Sequence, residues 1–249
     1  MIKSEVRNNT GLIIFNRPEK RNALNPEMNG LIIAQLNEFA KQENIKAVIL
    51  SGEGTSFCAG ADLAWLKKIS ENSSQRNESD TEEIAQLFLT IYDYPKPVIA
   101  AVNGPAVGGG CGIASVCDFL IADRNEAKFG YTEVKIGFIP AIVSVFLIKK
   151  IGEGKAKQLL LTGELIDPEK ALQIGLADYL SGNVIEDAFL LAEKLNANSP
   201  FSVSLTKDLI RNTSNMNVHD AVNYCVRLNA ISRSSKDFIK GINKFLNKN

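Results

Sequence analysis

The chain has 249 residues, 45% hydrophobic and 22% charged, the profile of a globular protein long enough to bury a substantial core. Its 28 Lys and Arg balance 28 Asp and Glu, so no global field favours nucleic acid or an anionic membrane as partner. No apolar run approaches the roughly 20 residues that span a bilayer; "MIKSEVRNNT" has no apolar h-region, and a cytoplasmic location is the expectation.

Taken in chain order, "GLIIFN" (11–16) reads as a strand closed by Arg17 and Pro18. "NPEMNGLIIAQLNEFAKQ" starts a helix with Asn25 as N-cap and Pro26 at the first helical position. Met28, Leu31, Ile32, Leu36 and Phe39 fall on one face of it. "AVILSG" follows as a short apolar strand, and strand–helix–strand is the pattern of a parallel sheet with crossover helices. The polar stretch 69–83, "ISENSSQRNESDTEE", is expected to form a mobile surface loop, with a solvated helix as the alternative. Glu82 and Glu83 would then start a solvated helix, and no metal site is visible.

"IAQLFLTIYDY" recovers helical character, and "KPVIAAVNG" reads as a buried parallel strand. After the glycines come a helix, the strand "FLIAD" and a loop holding "FGYTEVKIGFIP". From about residue 140 onward strand signals nearly vanish and helices follow one another. The predicted class is α/β, a βαβ core over residues 1–190 followed by a helical part over 191–249. Cys58, Cys111, Cys117 and Cys225 show neither CxxC spacing nor disulfide density and read as small buried hydrophobes. His219 is the only histidine and reads as a surface or capping residue, which leaves no Ser–His triad or His-rich metal site.

Two segments share a design of apolar strand, small residues, then helix: "VILSGEGTSFCAGADLAWL" and "VIAAVNGPAVGGGCGIASV". Small residues let a ligand approach the main chain, and a helix start supplies free N–H donors. No dinucleotide GxGxxG and no P-loop signature accompanies them. One backbone N–H from each loop is instead the usual makeup of an oxyanion hole.

Five ordered blocks covering nearly the whole chain resemble the enoyl-CoA hydratase/isomerase superfamily, the crotonase fold. They are "NRPEKRNALN" (16–25), "FCAGADL" (57–63), "KPVIAAVNGPAVGGGCGIASVCD" (96–118), "FGYTEVKIGFIP" (129–140) and "LLLTGELIDPEKALQIGLAD" (159–178). The resemblance implies a crotonase-like spiral of βαβ turns with a C-terminal helical trimerisation region. It also implies a homotrimer or a hexamer built as a dimer of trimers, and an acyl-coenzyme A thioester as substrate. No separate cofactor is implied, since coenzyme A is part of the substrate.

By position, the amides of Ala61 and Gly109 would hold the thioester oxygen, with Gly108 beside them and Glu133 as the acid/base. Ala23, Ala59, Asp62 and Leu63 fall at family coenzyme A contacts, although Asp62 also reads as a helix-start carboxylate. Lys20 and Arg21 match basic phosphate-side positions, or are solvated charge in a turn. Lys244 is a further candidate for a coenzyme A phosphate, from a neighbouring subunit. Trp65, Leu66, Phe138, Ile142 and Val143 are candidates to line an acyl pocket, and Tyr131 is the next acid/base candidate after Glu133.

Family hydratases typically face one water with two glutamates, and here Gly112 stands where the first would be. Three readings follow. A hydratase could work through Glu133 alone, with the volume vacated at Gly112 admitting a branched or carboxylated acyl group. "GYTEVKIGFIPAIVSVF" and "ADLAWLKK" resemble the 3-methylglutaconyl-CoA and carboxygeranoyl-CoA hydratase branch in this respect, which points to leucine or terpenoid breakdown. A Δ3,Δ2-enoyl-CoA isomerase needs only one base to move a proton from C2 to C4. A non-catalytic acyl-CoA binder would keep the architecture and lose the chemistry.

Overall fold

A computed structural model describes residues 1–246. A six-stranded sheet has the order β1 (Ile2–Arg7), β2 (Thr10–Phe15), β3 (Ala47–Gly52), β4 (Val98–Val102), β6 (Phe119–Asp123) and β8 (Tyr179–Ser181). Only β1 and β2 pair antiparallel; every later pairing is parallel. The short strands β5 (Ala106–Val107) and β7 (Phe129–Gly130) pair separately as a second, parallel sheet.

The apolar runs of β3 and β4 are buried on both faces, as parallel strands covered by helices must be. One face carries α1 (Pro26–Lys41), α3 (Ser74–Tyr92), α4 (Gly109–Val116) and α5 (Ala141–Ile151), while the short α2 (Leu63–Ile69) buries no residue. Met28, Ile32, Leu36 and Phe39 of α1, Phe88 of α3 and Phe146 of α5 belong to the main core on this side. The other face is covered by α8 (Val184–Asn196) through Val184, Ala188, Phe189 and Ala192, which pack on Ile49, Ile99 and Ile121. Two further helices, α6 (Glu153–Thr162) and α7 (Pro168–Ile174), lead into β8, and α9 (Pro200–Thr213), α10 (Val218–Arg233) and α11 (Lys236–Leu246) end the described chain.

Several expectations need correction. Within the stretch 69–83 expected as a loop, residues 74–83 form the solvated-helix alternative. They are the first half of α3, started by Ser73, whose hydroxyl accepts from the Arg76 amide at 3.3 Å, and run on into the expected helix from Ile84. Glu82 and Glu83 are exposed within α3 rather than at its start. Leu31 is 38% exposed and leaves the buried face of α1 to its four neighbours. Strand β1 was not expected, because its residues after Ile2 are exposed and carry no alternation. Nor was β8, three residues at the sheet edge. A division near residue 190 would fall inside α8, a sheet-covering helix.

Cys58, Cys111 and Cys117 are buried, and burial pushes each thiol up to about 12; Cys225 is half-buried. His219 is exposed in the first turn of α10. Among the described residues no helix is long and apolar enough to cross a membrane.

Buried Asn22 ties the loop after β2 to the loop after β3. Its side-chain amide donates to Glu53 O at 2.9 Å and Ser56 O at 2.8 Å, and its Oδ1 accepts from the Arg17 amide. The next residues bridge onward: Leu24 N donates to Gly60 O, and Asp62 N donates to Leu24 O. Buried main-chain groups are satisfied between loops here, which fixes the backbone of residues 58–62.

Candidate active site

Residues 58–62 and 106–110 run side by side. Cys58 N donates to Pro105 O, and Val107 N donates to Cys58 O at 2.9 Å. A Cβ placed on Gly110 would collide with the Cys58 carbonyl oxygen, so only glycine allows this approach. Gly108 has φ +52°, and a Cβ there would lie 3.0 Å from Glu133 Oε1. The glycine run therefore serves close main-chain contact and leaves room for a carboxylate.

The amides of Ala61 and Gly109 donate to no other group among the described residues. Gly109 is the first residue of α4, whose end favours negative charge. Both residues line one cavity of 530 Å³, together with Gly108, Ala59, Leu63, Trp65, Leu66, Glu133, Phe138, Ile142 and Val143. A cavity of 570 Å³ lies elsewhere, between the end of α1 and α8–α9. Its Lys46 and Lys96 donate to main-chain carbonyls.

Glu133 opens a 3-10 turn, Glu133–Ile136, directly after β7. Its carbonyl accepts from Phe138 N at 3.1 Å, and Gly137 closes the turn in the left-handed region. Oε2 is buried without a hydrogen-bond partner. Burial raises the Glu133 carboxyl above the usual range, offset in part by a bond from its own amide. It is the one carboxylate at the glycine end of the cavity, since Asp80, the other acid of the wall, lies on α3.

Other predicted residues fall outside the cavity. Tyr131 is fully buried, with its hydroxyl 3.1 Å from Ser115 Oγ, and burial holds its proton well above the ordinary tyrosine range. It does not line the cavity, and its hydroxyl is engaged with Ser115. Asp62 caps α2, accepting from Ala64 N, and pairs with Arg17 at 2.9 Å. The bond from Arg17 is the largest influence lowering its carboxyl. Ala23 is buried beside the cavity-lining Leu24, whereas Lys20 and Arg21 are exposed in the turn before it.

The space opposite Gly112 is not vacant. A Cβ there would strike Val143 Cγ1 and lie 2.9 Å from Phe88 Cε1. Hydrocarbon from α3 and α5 fills the volume, so Gly112 adds no room for a branched acyl group.

Sequence reasoning missed the cavity wall formed by α3. Asn77, Asp80, Thr81, Ile84 and Phe88 all line it, at the spacing of one helical face. That spacing was present in the sequence, but Asn77, Asp80 and Thr81 lay within the stretch read as a loop while Ile84 and Phe88 lay in the helix after it.

The enoyl-CoA hydratase/isomerase family model matches residues 5–249. The chain belongs to this family. It is 41% identical to a putative enoyl-CoA hydratase of Thermus thermophilus over 97% of this chain and 96% of that protein. It is 32% identical to the 2,3-dehydroadipyl-CoA hydratase of Escherichia coli over 95% and 92%. A solved enoyl-CoA hydratase from a Polaromonas species superposes with a TM-score of 0.94 at 30% identity, over 99% of this chain and 97% of that one. Members of the family are enzymes acting on acyl-CoA thioesters, and the α/β class is that of its solved relatives.

The packing around Gly112 can be probed by stability. Gly112→Ala should cost about 1–3 kcal/mol by overpacking, and adding Val143→Ala should recover part of it, read from urea unfolding of the single and double variants. Glu133 offers a second probe, because its folded-state pKa lies above its unfolded one. The neutral form is therefore favoured on folding, and this stabilisation is lost as pH rises from the ordinary glutamate value through the raised one. Glu133→Gln should stabilise the protein at neutral pH and give no gain well below the ordinary glutamate pKa, as judged by thermal melts at both.

Proposed function

We propose that the protein is an enoyl-CoA hydratase that adds water across the C2–C3 double bond of a 2-enoyl thioester with Glu133 as its only acid/base. The Ala61 and Gly109 amides bind the thioester oxygen. Water oxygen bonds to C3 while Glu133 takes its proton, and the π pair moves through C2 onto the thioester oxygen as an enolate. Return of the proton to C2 then gives the 3-hydroxyacyl thioester. A single donor of this kind contributes about 10²–10³ in rate.

The observation that carries the reading is the meeting, at the glycine end of one cavity, of two unspent amides and the burial-raised carboxylate of Glu133. A base with a raised pKa is better matched to proton transfer near neutrality. The hydratase names of the Thermus and Escherichia relatives favour hydration. Lys20 and Arg21, exposed just ahead of Leu24, suit the phosphates of coenzyme A. The apolar surface of α9–α11, including Phe201, Ile210, Val222 and Ile239, suits assembly with further copies of the chain as a trimer or a pair of trimers.

The likeness to 3-methylglutaconyl-CoA and carboxygeranoyl-CoA hydratases rests on sequence blocks alone. No Lys or Arg belongs to the cavity wall among the described residues, so a free tail carboxylate gains no cationic partner there. We therefore place the acyl group among the uncharged ones.

One observation favours the isomerase as second reading. The place opposite Gly112 is filled by Val143 and Phe88, so no second acid holds a water from that side, and proton shuttling between C2 and C4 needs only Glu133. Incubation with 2-enoyl- and 3-enoyl-CoA decides between them. Gain of one water in product mass is expected, and Glu133→Gln should lower turnover by about 10²–10⁴. A new conjugated double bond at constant mass would replace hydration with isomerisation. Binding without either reaction would leave only an acyl-CoA carrier.

A further inference from the structure

The cavity is not apolar throughout, and its polar part lies where the proposed chemistry has no use for it. Phe88 of α3 touches the Gly112 end. Along the same helical face follow Ile84, then Thr81 and Asp80, then Asn77. At 1.5 Å per residue, Asp80 stands about 12 Å and Asn77 about 16 Å along the helix axis from Phe88. Trp65 and Ser70, on and just after α2, line the cavity with them.

Two polar atoms of this wall are buried without partners, Trp65 Nε1 and Asn77 Oδ1. Burial and the neighbouring Glu83 raise the Asp80 carboxyl. The Trp65 indole, directed at Asp80, lowers it in part as a hydrogen-bond donor does, although the pair falls short of full hydrogen-bond geometry. Ser70 and Thr81 donate their hydroxyl protons to Lys67 O at 2.8 Å and Asn77 O at 2.7 Å, and so present only lone pairs to the cavity. Arg76, which also acts on Asp80, is exposed and outside the cavity wall.

The wall thus offers a buried indole N–H, the side-chain amide of Asn77 with both donor and acceptor, and further acceptors on Asp80, Ser70 and Thr81. A carboxylate, which only accepts, would face Asp80 and the lone pairs of Ser70 and Thr81. An ammonium, which only donates, would leave the indole unsatisfied. A hydroxyl does both: it accepts from Trp65 Nε1 and donates to Asn77 or Asp80.

We propose that the α2–α3 wall binds a hydroxyl group carried on the distal part of the acyl chain, so that the preferred substrates are hydroxylated enoyl-CoA thioesters. The proposal rests on the reading of this cavity as the acyl site. A plain hydrocarbon tail would leave buried polar groups unpaired, the condition under which a site rejects an analogue lacking one hydroxyl.

The test uses the full chain with 2-enoyl-CoA esters of six, eight and ten carbons, each ending in methyl, hydroxyl or carboxylate. Turnover is measured with the wild type, and Kd by calorimetry with Glu133→Gln. At the best length the hydroxyl ester should exceed the methyl ester in kcat/KM by about 10- to 100-fold. Trp65→Phe and Asn77→Ala should each bring that ratio towards one. Equal handling of the two tails, preference for the carboxylate, or a ratio unmoved in both variants would overturn the proposal. A Kd preference for the hydroxyl ester without hydration of any ester would overturn the hydratase reading and leave this one standing. Turnover of all esters without preference would do the reverse.

Discussion

Two stretches of main chain meet at Cys58 and Gly110 so closely that no side chain fits between them. Strands β3 and β4 are parallel neighbours, so the loops leaving their C-terminal ends emerge side by side. Hydrogen bonds through Cys58 and Val107 lock the loops together, and Asn22 and Leu24 hold the first from its other flank. The two unspent amides at Ala61 and Gly109 are a product of that contact. Preorganised donors of this kind need no rearrangement as charge develops, which is the physical basis of the role proposed for them.

Glu133 depends on the same contact. Gly108 leaves space for its carboxylate, and Gly108 N donates to Gly130 O, which fixes the end of β7 just ahead of the turn that carries it. Tyr131, buried against Ser115 of α4, anchors that turn to the glycine helix. Its hydroxyl is structural, and its proximity to Glu133 in sequence gave no hint of this. The ion pair of Arg17 with Asp62 similarly joins the first family block to the cap of α2, next to Ala61.

Much of this was legible in the sequence. Parallel strands buried on both faces read as apolar runs, and the caps Asn25 and Asp62 read from their residue types. What escaped notice had little apolar signal or depended on distant partners. Strand β1 holds its place through main-chain pairing while its side chains face solvent, so no alternation marks it. The first half of α3 buries little, and its buried residues, Leu87, Phe88 and Ile91, are all near its end. Gly112 announced a missing side chain, but not that Val143, from a helix later in the chain, would occupy its place. The polar wall of Trp65, Asn77 and Asp80 stayed hidden because it exists only once residues 74–92 are helical.

At the centre stands one geometric claim: a thioester oxygen bridges the amides of Ala61 and Gly109 while the Glu133 carboxylate faces C2 and C3. A crystal structure of the Glu133→Gln protein with a bound 2-enoyl-CoA measures it directly. Both nitrogens should lie within about 3.1 Å of the carbonyl oxygen, with the substituted side chain at position 133 against the double bond. A carbonyl turned away from either nitrogen, or a side chain at that position directed to solvent, would contradict the account.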